Sequence, residues 1–314
     1  MLELRNYCTT EVRNLQGFMT IIFVVIDDLY EEVTPTSIKM RQNKGSAKMS
    51  DSEIMTIAIT GETIGIDSET AWYKFVKKNY SHLFPEMCDR TRYNRTRRDL
   101  AGVTTLIWQR LNDVMEVYFS SDRLVDSFPL AVCEFGRAHF CRAFKGEDAD
   151  YGHCASKKET YFGYKVHNMT TTEGYVTDFV VTPASTDDRE ALLELAWGKE
   201  YHYFLIGDRG YIKKHLADFL YEHRNISLIA IQRKNTKDKY PPMIGRIICR
   251  MRRRIETTFS QISQQFNVQR VLAKIFHGLL TRLITKFLAF NLMFFINFAL
   301  GNFLHPARVK SIVF

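Results

Sequence analysis

The sequence predicts an α/β protein, a mixed sheet flanked by helices and preceded by an all-helical region. Three observations carry that expectation. Apolar residues recur at helical spacing through residues 1–120; from 121 onward short apolar runs alternate with helical stretches; and RMRRRIETTFSQISQQF (250–266) followed by a long apolar run returns the chain to helix before it ends. The division expected is therefore 1–120 and 121–314, the second part including the C-terminal helices.

An apolar helical patch at 18–29 opens the chain, followed by a polar, Lys-rich turn, SIKMRQNKGSAK. Ser50 and Glu53 have the spacing of a capping box, in which hydroxyl and carboxylate each satisfy an orphan backbone donor, and a helix is expected from there to about residue 63. Asp67 is expected to cap the next helix, with Ala71, Trp72, Phe75 and Val76 as its buried face. Arg90, Arg92, Arg95, Arg97 and Arg98 then load the start of a long helix expected to reach residue 119. Short helices with clustered arginines suit a DNA-binding module, and equally an ordinary bundle with a solvated basic face.

From 124 the period shortens. LVDSFPLAVC (124–133) reads as a strand interrupted by one carboxylate, Asp126, with Pro129 awkward at a fully paired position. Residues 134–159 are polar. YFGYKVH (161–167) and YVTDFVV (175–181) read as two strands joined by a turn at 171–174. A helix is expected over 188–197, with Asp188 its cap by preference or else a support of the site; YFLIGDRG (203–210) is a strand running into Asp208. A helix over 212–223, a strand over 227–232 and a loop holding Pro241 and Pro242 complete the order. In 250–266, Ile255, Phe259, Ile262 and Phe266 share a face, and Arg252 and Arg253 lie on the side of Glu256. The uncharged run at 287–304 is long enough to cross a membrane, but Asn291, Asn297 and Asn302 interrupt it, and a buried core helix is the preferred reading.

With 46% hydrophobic and 25% charged residues the composition is that of a folded globular protein, which excludes disordered and fibrous classes. The formal charge is +8, and nine basic residues against one acid between 233 and 254 account for all of it. A patch so placed suits a polyanion, most simply a nucleic-acid backbone. The six cysteines form no CxxC pair and no secretory leader precedes them, so reduced thiols in a cytoplasmic protein are expected. Cys141, His153 and Cys154 match no common zinc spacing.

An apolar strand that ends in an Asp holds that side chain rigidly at the sheet's end, within reach of solvent or metal. Asp126 and Asp208 both fit, although each is also an ordinary turn or cap residue. Together with Glu256 they offer hard oxygen donors with few competing histidines, which suits Mg²⁺ or Mn²⁺ better than zinc. Two such ions about 4 Å apart can activate a nucleophile and stabilise the leaving oxygen of a phosphodiester. Lys165 and His167 would project together from their strand, and Arg209 adjoins Asp208; each is a candidate phosphate contact or a local solubility or ion-pairing device.

In order, LVDSFPL, YFGYKVH, TPASTDDREAL, LIGDRGY and RRRIETTFSQI resemble the bacterial insertion-sequence transposases that carry a DDE triad on an RNase H-like fold, specifically the insertion-sequence-982 branch. MSDSEIMTIA, GIDSETAW and YNRTRRDL are similar to the same branch, so the resemblance covers nearly the whole chain. It implies an RNase H-like catalytic domain over 121–314 behind a DNA-binding region over 1–120. It also implies a triad at Asp126, Asp208 and Glu256 holding Mg²⁺ or Mn²⁺ as two ions, and cleavage of element ends with joining of the 3′ hydroxyl to target DNA. The partners implied are double-stranded DNA and further copies of the chain, a homodimer or higher multimer, with no membrane and no small-molecule substrate. Expected DNA contacts are Lys165, His167, Arg209, Arg246, Arg250, Arg252 and Arg253, with Arg95, Arg97 and Arg98 in the helical region. One departure concerns a related group with a Tyr-Arg-Glu-Lys signature: Arg253 is taken as the Arg, but Ser263 stands in the Lys position. A metal-dependent nuclease and a DNA-binding protein with an inactive site remain alternatives.

Overall fold

The computed structural model describes residues 14–42, 44–116, 118–155, 157–196, 201–211, 213–232 and 239–301. Its chain divides into two compact units, 1–115 with 264–314, and 116–263. The expected division at 120 with everything later in one domain therefore differs from the packing, which assigns the C-terminal helix to the N-terminal helices.

The first unit contains α1 (Leu15–Val33), α2 (Thr36–Lys39), α3 (Asp51–Ile64), α4 (Glu69–Asn79), α5 (Arg90–Asp99), α6 (Ala101–Glu116, its last residue beyond the division) and, after the second unit, α10 (Phe276–Ala299). The capping box forms as expected: Glu53 N donates to Ser50 Oγ at 3.1 Å and Ser50 N to Glu53 Oε2 at 2.6 Å. Helix α4 is capped by Ser68, not Asp67; Asp67 instead accepts from Asn267 Nδ2 and, through its carbonyl, from Arg282. The long helix expected over 90–119 is two helices: Leu100 still donates its N–H to Thr96 O at 2.9 Å, but its backbone turns out of helical geometry (φ −85°, ψ 3°) while its carbonyl starts α6. Helix α3 is buried around most of its circumference, its threonines and Glu62 included, and packs against α1 and α10. The most apolar window of α10 is 89% buried, so this helix, though long and apolar enough to cross a membrane, is a core element here.

A single fully buried acid accounts for the charges that α10 carries inward. Glu62 on α3 meets Arg97 at 3.1 Å, Arg282 at 2.8 Å and Lys286 at 2.7 Å. Burial alone would raise Glu62, but the three cations overcome it and hold the carboxyl at about 2.

The second unit is a six-stranded mixed sheet with helices on both faces. Its strands are β1 (Arg123–Ala131), β2 (Asp150–Cys154), β3 (Glu159–Thr171), β4 (Val176–Pro183), β5 (Tyr203–Gly207) and β6 (Ile226–Ala230). The order is β2-β3-β1-β5-β6, with β4 sharing the outer edge of β3. Strands β1, β2 and β4 run antiparallel to β3, whereas β1, β5 and β6 are mutually parallel. Strand β2 lies within the polar stretch 134–159, where the sequence marks no strand. On one face, α7 (Asp188–Leu195) and α8 (Lys214–Arg224) cover Val125, Met169, Leu205 and Ile226. On the other, α9 (Pro242–Phe266) lays Ile248 and Ile255 over Leu124 and Ile206. This is the RNase H-like arrangement the sequence led us to expect. Helix α9 begins eight residues earlier than the amphipathic stretch, with Pro242 in the first helical position, where a missing N–H removes nothing. Positions 197 and 212, expected as a helix end and a helix start, lie outside the described residues.

Candidate active site

Strands β1 and β5 pair in parallel only over Arg123–Val125, and the last pair is Val125 with Gly207. The next residue on each strand is Asp126 and Asp208. Both carboxylates therefore stand where two parallel strands part, the end of an α/β sheet at which ligands are commonly held. Beyond Val125, β1 stays paired to β3 alone, so Pro129 sits in a strand with one open edge and the missing N–H is tolerated. Gly207 lets the chain fold back after β5: a Cβ there would lie 2.8 Å from the Tyr211 ring and 3.1 Å from Val125 Cγ1.

Glu256 arrives from α9. Ile255 is buried, and the Phe259 ring meets Phe128 edge-on at 5.3 Å between centroids, so the helix is fixed rotationally against the strand that carries Asp126. Arg254 reinforces this by donating to the carbonyl of Glu173 in the β3–β4 turn, at 2.6 Å from Nε. Thr258 Oγ1 donates to the neighbouring Gly174 carbonyl at 3.2 Å. The turn can come this close because Gly174 has φ +96°, where a side chain would also strike Thr258.

The three acids meet one guanidinium. Arg252 Nη2 lies 3.6 Å from Asp126 Oδ2 and 3.5 Å from Asp208 Oδ2, and Nη1 lies 2.5 Å from Glu256 Oε1. Asp126 is the least exposed of the acids, its side chain 20% accessible against 44% for Asp208 and 52% for Glu256. Burial pushes its carboxyl up to about 6; the Ser127 N–H, at 2.8 Å, and Arg252 pull it down, and the charges of Asp208 and Asp188 push it up again. Among the described residues no three acidic, His or Cys side chains form a ready-made metal cage. The donor set nevertheless fits a hard cation: it is all carboxylate oxygen, and it already converges on a positive group. Two buried polar side chains beside it also lack partners, the Tyr211 hydroxyl and the amide of Asn168, the latter directly opposite Asp126 across β1 and β3.

The remaining expected residues divide. Lys165 and His167 do lie two apart on β3, but His167 is only 1% exposed, donates to or accepts from Thr182 Oγ1 at 3.0 Å, and is depressed by burial to about 4. A neutral, enclosed imidazole is no phosphate contact in this structure. Lys165 is partly exposed and pairs with Asp188 at 3.1 Å. Asp188, expected first as a cap, is not one: Asp187 accepts from Arg189 N and caps α7. Arg252 is engaged by the three carboxylates, and it is Arg252, not Arg253, that pairs with Glu256. Arg209, Arg246, Arg250 and Arg253 are exposed. The basic positions at 233, 234 and 237 lie outside the described residues. In the helical unit Arg95 is exposed and Arg98 half-buried, whereas Arg97 is 6% exposed and spent on Glu62 and Glu69, which removes it as a DNA contact.

A family model described as a transposase DDE domain matches residues 118–292, more than half of the chain. No curated protein matches, and no solved structure does.

Proposed function

The chain belongs to the transposase DDE-domain family, which implies DNA binding and a polynucleotidyl transferase or endonuclease activity, and on that premise we propose that it cuts the ends of an insertion sequence and joins the freed 3′ hydroxyl to target DNA. The observation that carries the residue assignment is the convergence of Asp126, Asp208 and Glu256 on one guanidinium at the point where β1 and β5 part. DDE transposases typically use divalent metals. These three carboxylates are the groups that would hold Mg²⁺ or Mn²⁺, as two ions, and the bound ions would activate the attacking oxygen and stabilise the leaving one. Arg252 tethers Glu256 one helical turn away and sets its direction. Arg246, Arg250 and Arg253 on α9 and Arg209 after β5 are exposed cations that would receive the DNA backbone. The N-terminal motifs favour the insertion-sequence-982 branch, and the protein acts as a homodimer or higher multimer in this reading.

The test is a plasmid carrying the DNA that flanks this gene, incubated with protein and Mg²⁺. Nicks bearing 3′ hydroxyls, followed by joined products, are expected from the wild type and not from Asp126→Asn. Nicking without joining would support the hydrolytic alternative; binding without nicking would support an inactive site.

A further inference from the structure

Asp188 stands at the first helical position of α7, where its neighbour Asp187 already caps the helix and is itself held by Arg189. Its side chain turns back to the sheet instead. Oδ1 lies 3.1 Å from Lys165 Nζ, 3.4 Å from Ser127 Oγ and 3.7 Å from His167 Nδ1. Oδ2 faces Gly210, where a Cβ would come within 3.4 Å of it. One carboxylate thus touches the residue after Asp126, faces the residue two after Asp208, and holds a cation on β3. That cation is fixed a second time, because Lys165 Nζ donates to the Thr186 carbonyl at 2.9 Å. An ammonium has three N–H groups, and these two acceptors leave one for an anion. A lysine is otherwise a flexible point charge, so two fixed acceptors convert it into an aimed one.

We propose that Asp188 is a positioning residue of this site, acting through Lys165, whose remaining N–H it aims at a phosphate oxygen of the DNA strand held beside Asp126 and Asp208. The assignment rests on the triad reading given above. His167, the other group beside Oδ1, is enclosed; its Nε2 is bonded to Thr182 Oγ1 and its Nδ1 stays 3.7 Å from the carboxylate, beyond hydrogen-bond length, so Lys165 is the closer partner.

The experiment is a double-mutant cycle of Asp188→Ala and Lys165→Ala with Asp188→Asn beside it, all checked for cooperative melting. Two readouts are taken. The first is the salt dependence of binding to a duplex of the flanking DNA in EDTA; the second is plasmid nicking in Mg²⁺ at saturating DNA. Lys165→Ala, Asp188→Ala and the double variant are each expected to lose about one unit of the log-log salt slope, the same single phosphate contact. Nicking should fall about 10- to 100-fold in either single variant, with the double within about twofold of the worse single. Asp188→Asn retains an oxygen for the ammonium and should fall by no more than about tenfold. If Asp188→Ala does not fold, Asp188→Asn is compared alone and on the Lys165→Ala background, where it should add nothing. Additive losses, a salt slope unchanged in Asp188→Ala, or an Asp188→Asn variant as inactive as Asp126→Asn would each overturn the proposal, the last by making Asp188 a metal ligand. A wild type that never nicks overturns the triad reading instead, while the EDTA slope still judges Asp188.

Discussion

Asp126→Asn should make the protein more stable in EDTA above neutral pH while removing its chemistry. The folded chain raises this carboxyl from an ordinary 3.8 to about 6. At 1.36 kcal/mol per unit, the shift amounts to about 3 kcal/mol. Because the folded value lies above the unfolded one, the associated stability is fully present below the unfolded value and is lost as pH rises through about 6. Asparagine is neutral throughout and keeps it. The variant's advantage should therefore be small at about pH 4 and approach a ceiling of about 3 kcal/mol at about pH 8. The amide oxygen can still accept from Ser127 N–H, but the pairing with Arg252 at 3.6 Å is weakened, so a measured gain of about 1–2 kcal/mol is expected. Urea unfolding of both proteins at the two pH values reads the difference. A gain equal at both, or a variant less stable at about pH 8, would refute the account of Asp126 as a buried, ionised acid.

Two further outcomes follow from other parts of the molecule. Replacing Arg246 and Arg250 together with Gln should weaken binding to all duplex sequences alike and reduce the salt slope by about two units, since both are exposed and neither serves the triad; an unchanged slope would move the DNA path elsewhere, with Arg95 the exposed candidate in the helical unit. Glu62→Gln leaves Arg97, Arg282 and Lys286 without their buried counter-charge and should destabilise the helical unit by about 3–5 kcal/mol, read by denaturation; because the carboxyl is held at about 2, the wild-type contribution should persist to low pH and fade only as pH drops from the ordinary carboxylate range toward that value.

Most strands were legible, and with them Asp126 as the carboxylate interrupting β1 and Asp208 just past β5, because apolar period and turn residues are local signals. Strand β2 was not: its burial pattern leaves only Gly152 inside, so no alternation marks it. The break between α5 and α6 falls at Leu100, an apolar residue with no sequence mark of a helix end. That Arg97, Arg282 and Lys286 share one acid was not legible, because their partner Glu62 is distant in sequence and a pairing of that kind exists only once α3, α5 and α10 pack. Arg252 shows the same limit. Its four-residue spacing from Glu256 was readable; its approach to Asp126 and Asp208 depends on α9 lying across the end of β1 and β5. The two adjacent aspartates at the start of α7 gave no local clue as to which one caps.

Whether Asp126, Asp208 and Glu256 act as one site is decided by Mg²⁺-dependent nicking of the flank-bearing plasmid by Asp208→Asn, Glu256→Gln and the double variant. Each preserves shape and removes one charge. Both singles should fall to background, the double should be no worse, and all three should bind the flanking duplex in EDTA within about threefold of the wild type. Near-normal nicking by Glu256→Gln, or losses that multiply in the double variant, would contradict it.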